Sequence, residues 1–159
     1  MKEGVVRLGV FAVVLAILVI GSAARSHRRH LDVPEDMGAA LNVGDVPAPV
    51  LSILRRACFD CHSEETRWPW YSVLPVASWI IEHDVAAGRR QIDLSRWERY
   101  NAFDRADKLD KMCELAANGT MPLRPYRLLH PEARLSEADV KALCAWTWQE
   151  AERLVLGGS

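Results

Sequence analysis

Cys58-Phe59-Asp60-Cys61-His62 constrains this chain more than any other stretch. Two thiols across one tight turn, followed at once by an imidazole, suit three chemistries. In a c-type haem site each thiol adds to one vinyl group of a porphyrin, and the histidine ligates the iron. In a zinc site Cys58 and Cys61 would join two of His62, Cys113 and Cys144. In a thioredoxin-like dithiol the motif would follow a strand in a βαβ setting.

The surrounding pattern separates these readings. Val50, Leu51, Ile53, Leu54 and Ala57 recur at helical spacing and lead into Cys58. After a Pro69-Trp70-Tyr71 loop, Val76, Trp79, Ile80, His83 and Ala87 predict a helix closed by Gly88. Ser95 is a candidate cap of a longer helix running through Trp97, Phe103, Leu109, Met112 and Cys113 to Gly119, with Asp93 or Asp104 as residues that could shift or break its start. Thr120 to Tyr126 contains two prolines and reads as a loop. Ser136-Glu137-Ala138-Asp139 has the form of a capping box opening a last helix that ends at Gly157-Gly158. No alternating strand appears, so the expected class is all-α and the dithiol setting is missing. Structural zinc sites usually bring a second closely spaced ligand pair, whereas Cys113 and Cys144 lie far apart on two predicted helices. In an oxidising compartment those two are candidates for a disulfide, the alternative being two buried thiols that pack as small hydrophobes.

From Leu8 to Ala24 the chain is uncharged and apolar, at the short end of the roughly 17–25 residues that span a bilayer. Lys2 and Arg7 precede this run and small residues close it, so residues 1–24 read as a signal peptide or an N-terminal membrane anchor. Arg25, Arg28 and Arg29 oppose export by the positive-inside tendency, but attachment of haem to this motif takes place outside the bacterial cytoplasm. Export to the periplasmic side of the inner membrane, anchored or released, is therefore the expectation. Residues 25–49 read as a Pro- and Gly-interrupted linker, and residues 50–156 as the folded domain. A net charge of −1 gives no case for nucleic-acid binding.

A haem iron held by His62 commonly takes a second axial ligand. Met121, in a Pro-flanked loop between two helices, is the leading candidate, with His83 and His130 as rivals. Trp70, Tyr71, Trp97 and Tyr126 are candidates to line the pocket, and Arg89 or Arg124 to meet haem propionates.

The chain resembles the small haem-binding domain of bacterial exported proteins, a relative of the cytochrome c fold. The resemblance covers roughly residues 50–155 and rests on Cys58-Phe59-Asp60-Cys61-His62-Ser63, Trp68-Pro69-Trp70-Tyr71, and His83-Asp84-Val85-Ala86-Ala87-Gly88-Arg89. It continues through Leu94-Ser95-Arg96-Trp97, Met121-Pro122-Leu123-Arg124-Pro125-Tyr126 and His130-Pro131-Glu132-Ala133-Arg134-Leu135-Ser136. It departs at Asp84, which separates His83 from Val85 where the family's pattern runs on directly, and no role is carried over to His83. The resemblance implies one covalent haem c on Cys58 and Cys61, with iron on His62 and Met121. Such a pair fills both axial positions, and the expected task is one-electron transfer with a redox partner protein rather than catalysis. The competing expectation is an open site that senses a small ligand or activates peroxide.

Overall fold

The computed structural model describes residue 7, residues 10–18 and residues 46–157. Most of the expected linker and part of the apolar N-terminal run lie outside these residues. Residues 10–18 are helical, and no helix among the described residues is long and apolar enough to cross a membrane.

Among the described residues the fold is all-α, without a strand. Helix α1 (Ala48–Ala57) starts behind Pro47, with Pro49 in its first turn where a missing N–H costs nothing. It is amphipathic, burying Val50, Ile53, Leu54 and Ala57. One turn, α2 (Phe59–His62), follows directly and carries the second thiol and the imidazole. A 3-10 turn, Trp70–Val73, then leads into α3 (Pro75–Gln91).

Gly88 does not close α3, contrary to expectation. The helix continues to Gln91 because Gly88 is a packing residue, its missing side chain making room for the backbone of Cys61. The long helix expected from Ser95 is likewise broken. Asp93 accepts a hydrogen bond from the Ser95 amide and caps a 3-10 segment, Leu94–Arg99, that is kinked at Arg96. A second cap then opens α4 (Ala102–Ala117), where the Asn101 side chain accepts from the Asp104 amide at 2.9 Å. Two short-range caps thus outcompete one continuous period.

After α4 the chain reaches Met121 and turns into α5 (Arg124–Leu129), so the stretch read as a loop becomes helical at its end, with Pro125 tolerated in the first turn. The last helix, α6 (Glu137–Leu156), has the expected capping box between Ser136 and Asp139. Helices α4 and α6 form the largest packing interface, over a core that includes Leu54, Leu94, Trp97, Leu109, Leu143 and Trp146. Cys113 on α4 and Cys144 on α6 are joined as a disulfide, with Cα atoms 4.8 Å apart. Arg56 closes the other side. Its guanidinium bonds the Asp139 carboxylate at 2.7 Å and the carbonyl oxygens of Glu132 and Arg134, holding α1 against the start of α6.

Candidate haem site

A cavity of about 450 Å³ opens between α2, α3, α4 and α5, and its lining is predominantly apolar. That volume lies within the range of roughly 300–1,000 Å³ that suits a cofactor-sized ligand. Cys58, Cys61, His62 and Met121 all line it.

Both cysteines of the motif carry free thiols. Burial pushes Cys58 up to about 12, reinforced by the neighbouring Cys61. Cys61 is pushed up to about 11, again by burial first and then by the charges of Asp60 and Asp84. Such thiols stay protonated at neutral pH, the opposite of the lowered pKa that activates a dithiol exchange centre. Zinc has no better setting. Cys113 and Cys144 are already bonded to each other, and no cluster of three or more His, Cys, Asp or Glu side chains among the described residues is placed to hold a metal.

His62 is oriented by its backbone surroundings. Its Nδ1 lies 3.1 Å from the Ile92 carbonyl oxygen. A carbonyl only accepts, so Nδ1 carries the proton and Nε2 presents a lone pair. Burial holds the imidazole below its ordinary pKa, partly opposed by the carbonyls of Ile92 and Gly88 and the charge of Asp93. A neutral imidazole with its far nitrogen tied to a carbonyl is the form that ligates a metal.

Met121 owes its place to the end of α4. Gly119 takes φ +73°, the left-handed conformation that reverses a chain after a helix. The Met121 amide then donates back to the Leu115 carbonyl at 2.9 Å. The other two candidate ligands are differently placed. His83 is exposed, facing Asp84 and the Trp79 ring, and does not line the cavity. His130 does line it, but both ring nitrogens are engaged: Nε2 with the Tyr71 hydroxyl at 2.8 Å and Nδ1 with Glu132 at 3.1 Å.

The aromatic candidates divide. Tyr71 and Tyr126 line the cavity, and the Tyr126 ring stacks on His130 with centroids 4.3 Å apart. Trp97 and Trp70 do not line it. Trp97 is 1 % exposed in the core, where its apolar area counts most, whereas Trp70 is 79 % exposed and stands in a T-shaped contact with Tyr71. Neither arginine singled out for propionates faces the cavity. Arg89 donates instead to the Ser63 carbonyl and the Thr66 hydroxyl, bracing the segment after the motif.

Asp60, the residue before the second thiol, is a functional candidate that sequence reasoning passed over. Its buried carboxylate accepts from the Arg67 amide and guanidinium and, at 2.6 Å, from the Tyr126 hydroxyl. A charged residue inside an otherwise apolar turn was the available signal. Burial and the Asp60 carboxylate both raise the Tyr126 phenol above its ordinary pKa, so it remains a donor.

A family model described as a haem-binding domain matches residues 14–149, and the chain belongs to that family. No curated protein and no solved structure matches the chain.

Proposed function

We propose that this member of the haem-binding domain family is an exported one-electron carrier with a single haem c, attached through Cys58 and Cys61 and ligated by His62 and Met121. The observation that carries the reading is the convergence of four groups on one cavity: two free thiols, an imidazole with Nε2 available, and a thioether. In attachment each Sγ–H adds across one vinyl group. The S–H bond and the vinyl π bond would break, a C–S and a C–H bond would form, and no external oxidant or reductant would be needed. The bound haem supplies reversible one-electron chemistry, while the chain supplies ligands, burial and orientation.

Ile92 fixes the His62 ring through Nδ1, and the Gly119 turn fixes Met121. With both nitrogens of His130 held by Tyr71 and Glu132, the thioether is the better second ligand. With His62 and Met121 holding the haem, the chemistry supplied would be outer-sphere electron transfer to a partner protein, and the methionine would raise the potential relative to two histidines. The Cys113–Cys144 disulfide fits an oxidising compartment, as the apolar N-terminal run does. Both support a location on the periplasmic side of the inner membrane.

The test is a pyridine haemochrome spectrum, an intact mass and a visible spectrum of the native oxidised protein, for protein matured with a periplasmic haem-attachment system and compared with Met121→Ala. Covalent haem in both, with a thioether-to-iron charge-transfer band in the parent only, is the expected result. Unchanged axial ligation in the variant removes Met121 from the reading, and absence of a haem adduct on Cys58 and Cys61 removes the reading itself. A second reading, a site open to small ligands, is favoured by the Tyr71–His130 pair, whose polar groups line the same cavity. Rapid carbon monoxide binding by the ferrous parent would select it.

A further inference from the structure

The hydrogen bond between Tyr126 and Asp60 joins two parts of the chain that the proposed site must keep in register. Asp60 stands inside the attachment turn, immediately before the second thiol. Tyr126 lies on α5, five positions after Met121 and 66 residues from Asp60. Arg67 holds the carboxylate in place with its amide and Nε, each at 3.1 Å, so Asp60 is a fixed acceptor rather than a mobile one. The Tyr126 ring in turn stacks on His130, and the His130 imidazole bonds Tyr71. Tyr71, Tyr126 and His130 form a linked set that lines the cavity together with Met121, and the Tyr126 hydroxyl ties this set to the attachment turn at Asp60.

We propose that Asp60 and Tyr126 are positioning residues that latch this set to the attachment turn and so restrict the access of outside ligands to the Met121 side of the iron. The inference rests on the haem reading above. A bond between a phenol and a charged, buried carboxylate belongs to the stronger class of hydrogen bonds. Its loss frees α5 to move away from the turn while leaving the four attachment and ligand residues untouched.

The experiment is an imidazole titration of the haem-loaded full chain, followed through the thioether charge-transfer band, for the parent, Tyr126→Phe, Asp60→Ala and the double variant. Tyr126→Phe is expected to bind imidazole about ten- to a hundredfold more tightly than the parent, the range a charged hydrogen bond corresponds to. The double variant is expected to match Asp60→Ala, because Asp60→Ala already removes the bond that Tyr126→Phe removes, along with those from Arg67. Leu154→Ala, in the core away from the cavity, serves as a control for general loosening and is expected to leave imidazole affinity unchanged. Should Asp60→Ala fail to mature, Tyr126→Phe against Leu154→Ala decides alone. Equal imidazole affinity in the parent and Tyr126→Phe, or an equal rise in Leu154→Ala, overturns the latch while the haem reading stands. A parent without covalent haem or without the thioether band overturns both.

Discussion

Gly88 on α3 lies so close to the turn that carries Cys58, Cys61 and His62 that a Cβ there would stand 2.5 Å from the carbonyl oxygen of Cys61. The obstacle is backbone, which cannot swing aside as a long side chain can. Two effects then compete in Gly88→Ala. Alanine gains about 1 kcal/mol of helix propensity, whereas overpacking a tight contact costs about 1–3 kcal/mol. Overpacking is expected to win, lowering the urea midpoint and the yield of covalent haem together. A variant more stable than the parent would show that the two backbones can separate freely.

Gly119 is required for a different reason. Nothing lies within 4 Å of its Cβ position, so space is not at issue, but its φ of +73° is unfavourable for most residues. Gly119→Ala is expected to cost about 1–2 kcal/mol through the backbone alone. Gly119→Asn should recover much of that, because asparagine tolerates the left-handed region. Denaturant unfolding of the two variants measures the difference, and identical midpoints would mean that the turn can be rebuilt without positive φ.

The two glycines also show how far the sequence could be read. Both were legible as helix-ending signals, and only Gly119 is one. Gly88 answers to a residue distant in the chain, and a local pattern carries no trace of that contact. The same limit divided the tryptophans, since Trp70 and Trp97 look alike as aromatic candidates until tertiary packing exposes one and buries the other. By contrast, the motif, the helical class and the Ser136 capping box depend on short-range spacing. Asp93 and Asp104 signal where the helix after Ser95 could break, but Asn101 does not stand out as the cap, because a capping side chain three residues from its target competes with a hydrophobic period that runs on through it.

Replacing those tryptophans separates core from surface. Trp97→Ala is expected to cost about 3–5 kcal/mol, the usual loss for a large buried ring. Trp70→Ala should fall within about 0.5 kcal/mol of the parent, as surface changes usually do. Urea unfolding provides both values, and a Trp70 cost as large as that of Trp97 would contradict the exposure described above.

The Cys113–Cys144 bond closes a loop of sequence separation 31 between α4 and α6. Loop closure of that length corresponds to an unfolded-state contribution of about 3–4 kcal/mol in the chain-entropy model. Cys113→Ala/Cys144→Ala is therefore expected to fold with a lower urea midpoint and to retain the covalent haem proposed for Cys58 and Cys61, because neither residue lines the cavity. The haemochrome yield of soluble protein and the midpoint shift are read separately. An unchanged midpoint, or loss of covalent haem from the soluble double variant, would reject this division of labour among the four cysteines.

Asp139 gives the chain an acid-sensitive brace. The Ser136 backbone amide, then its hydroxyl and then Arg56 hold the carboxyl below its ordinary range. A carboxylate whose folded pKa is depressed contributes fully above its unfolded value and loses that contribution as pH falls through the folded one. Asp139→Asn is therefore expected to be less stable than the parent at pH 7, by about 1 kcal/mol for the weakened cap. The gap should close as pH drops below about 3.9, where the unfolded carboxyl begins to hold its proton. Raised salt at pH 7 should remove only part of the gap, since the Ser136 bonds are short-range and the Arg56 pair is the screened component. Thermal unfolding at several pH values measures this. A gap that stays constant down to pH 2 would mean that the carboxylate charge contributes nothing and that shape alone holds the start of α6.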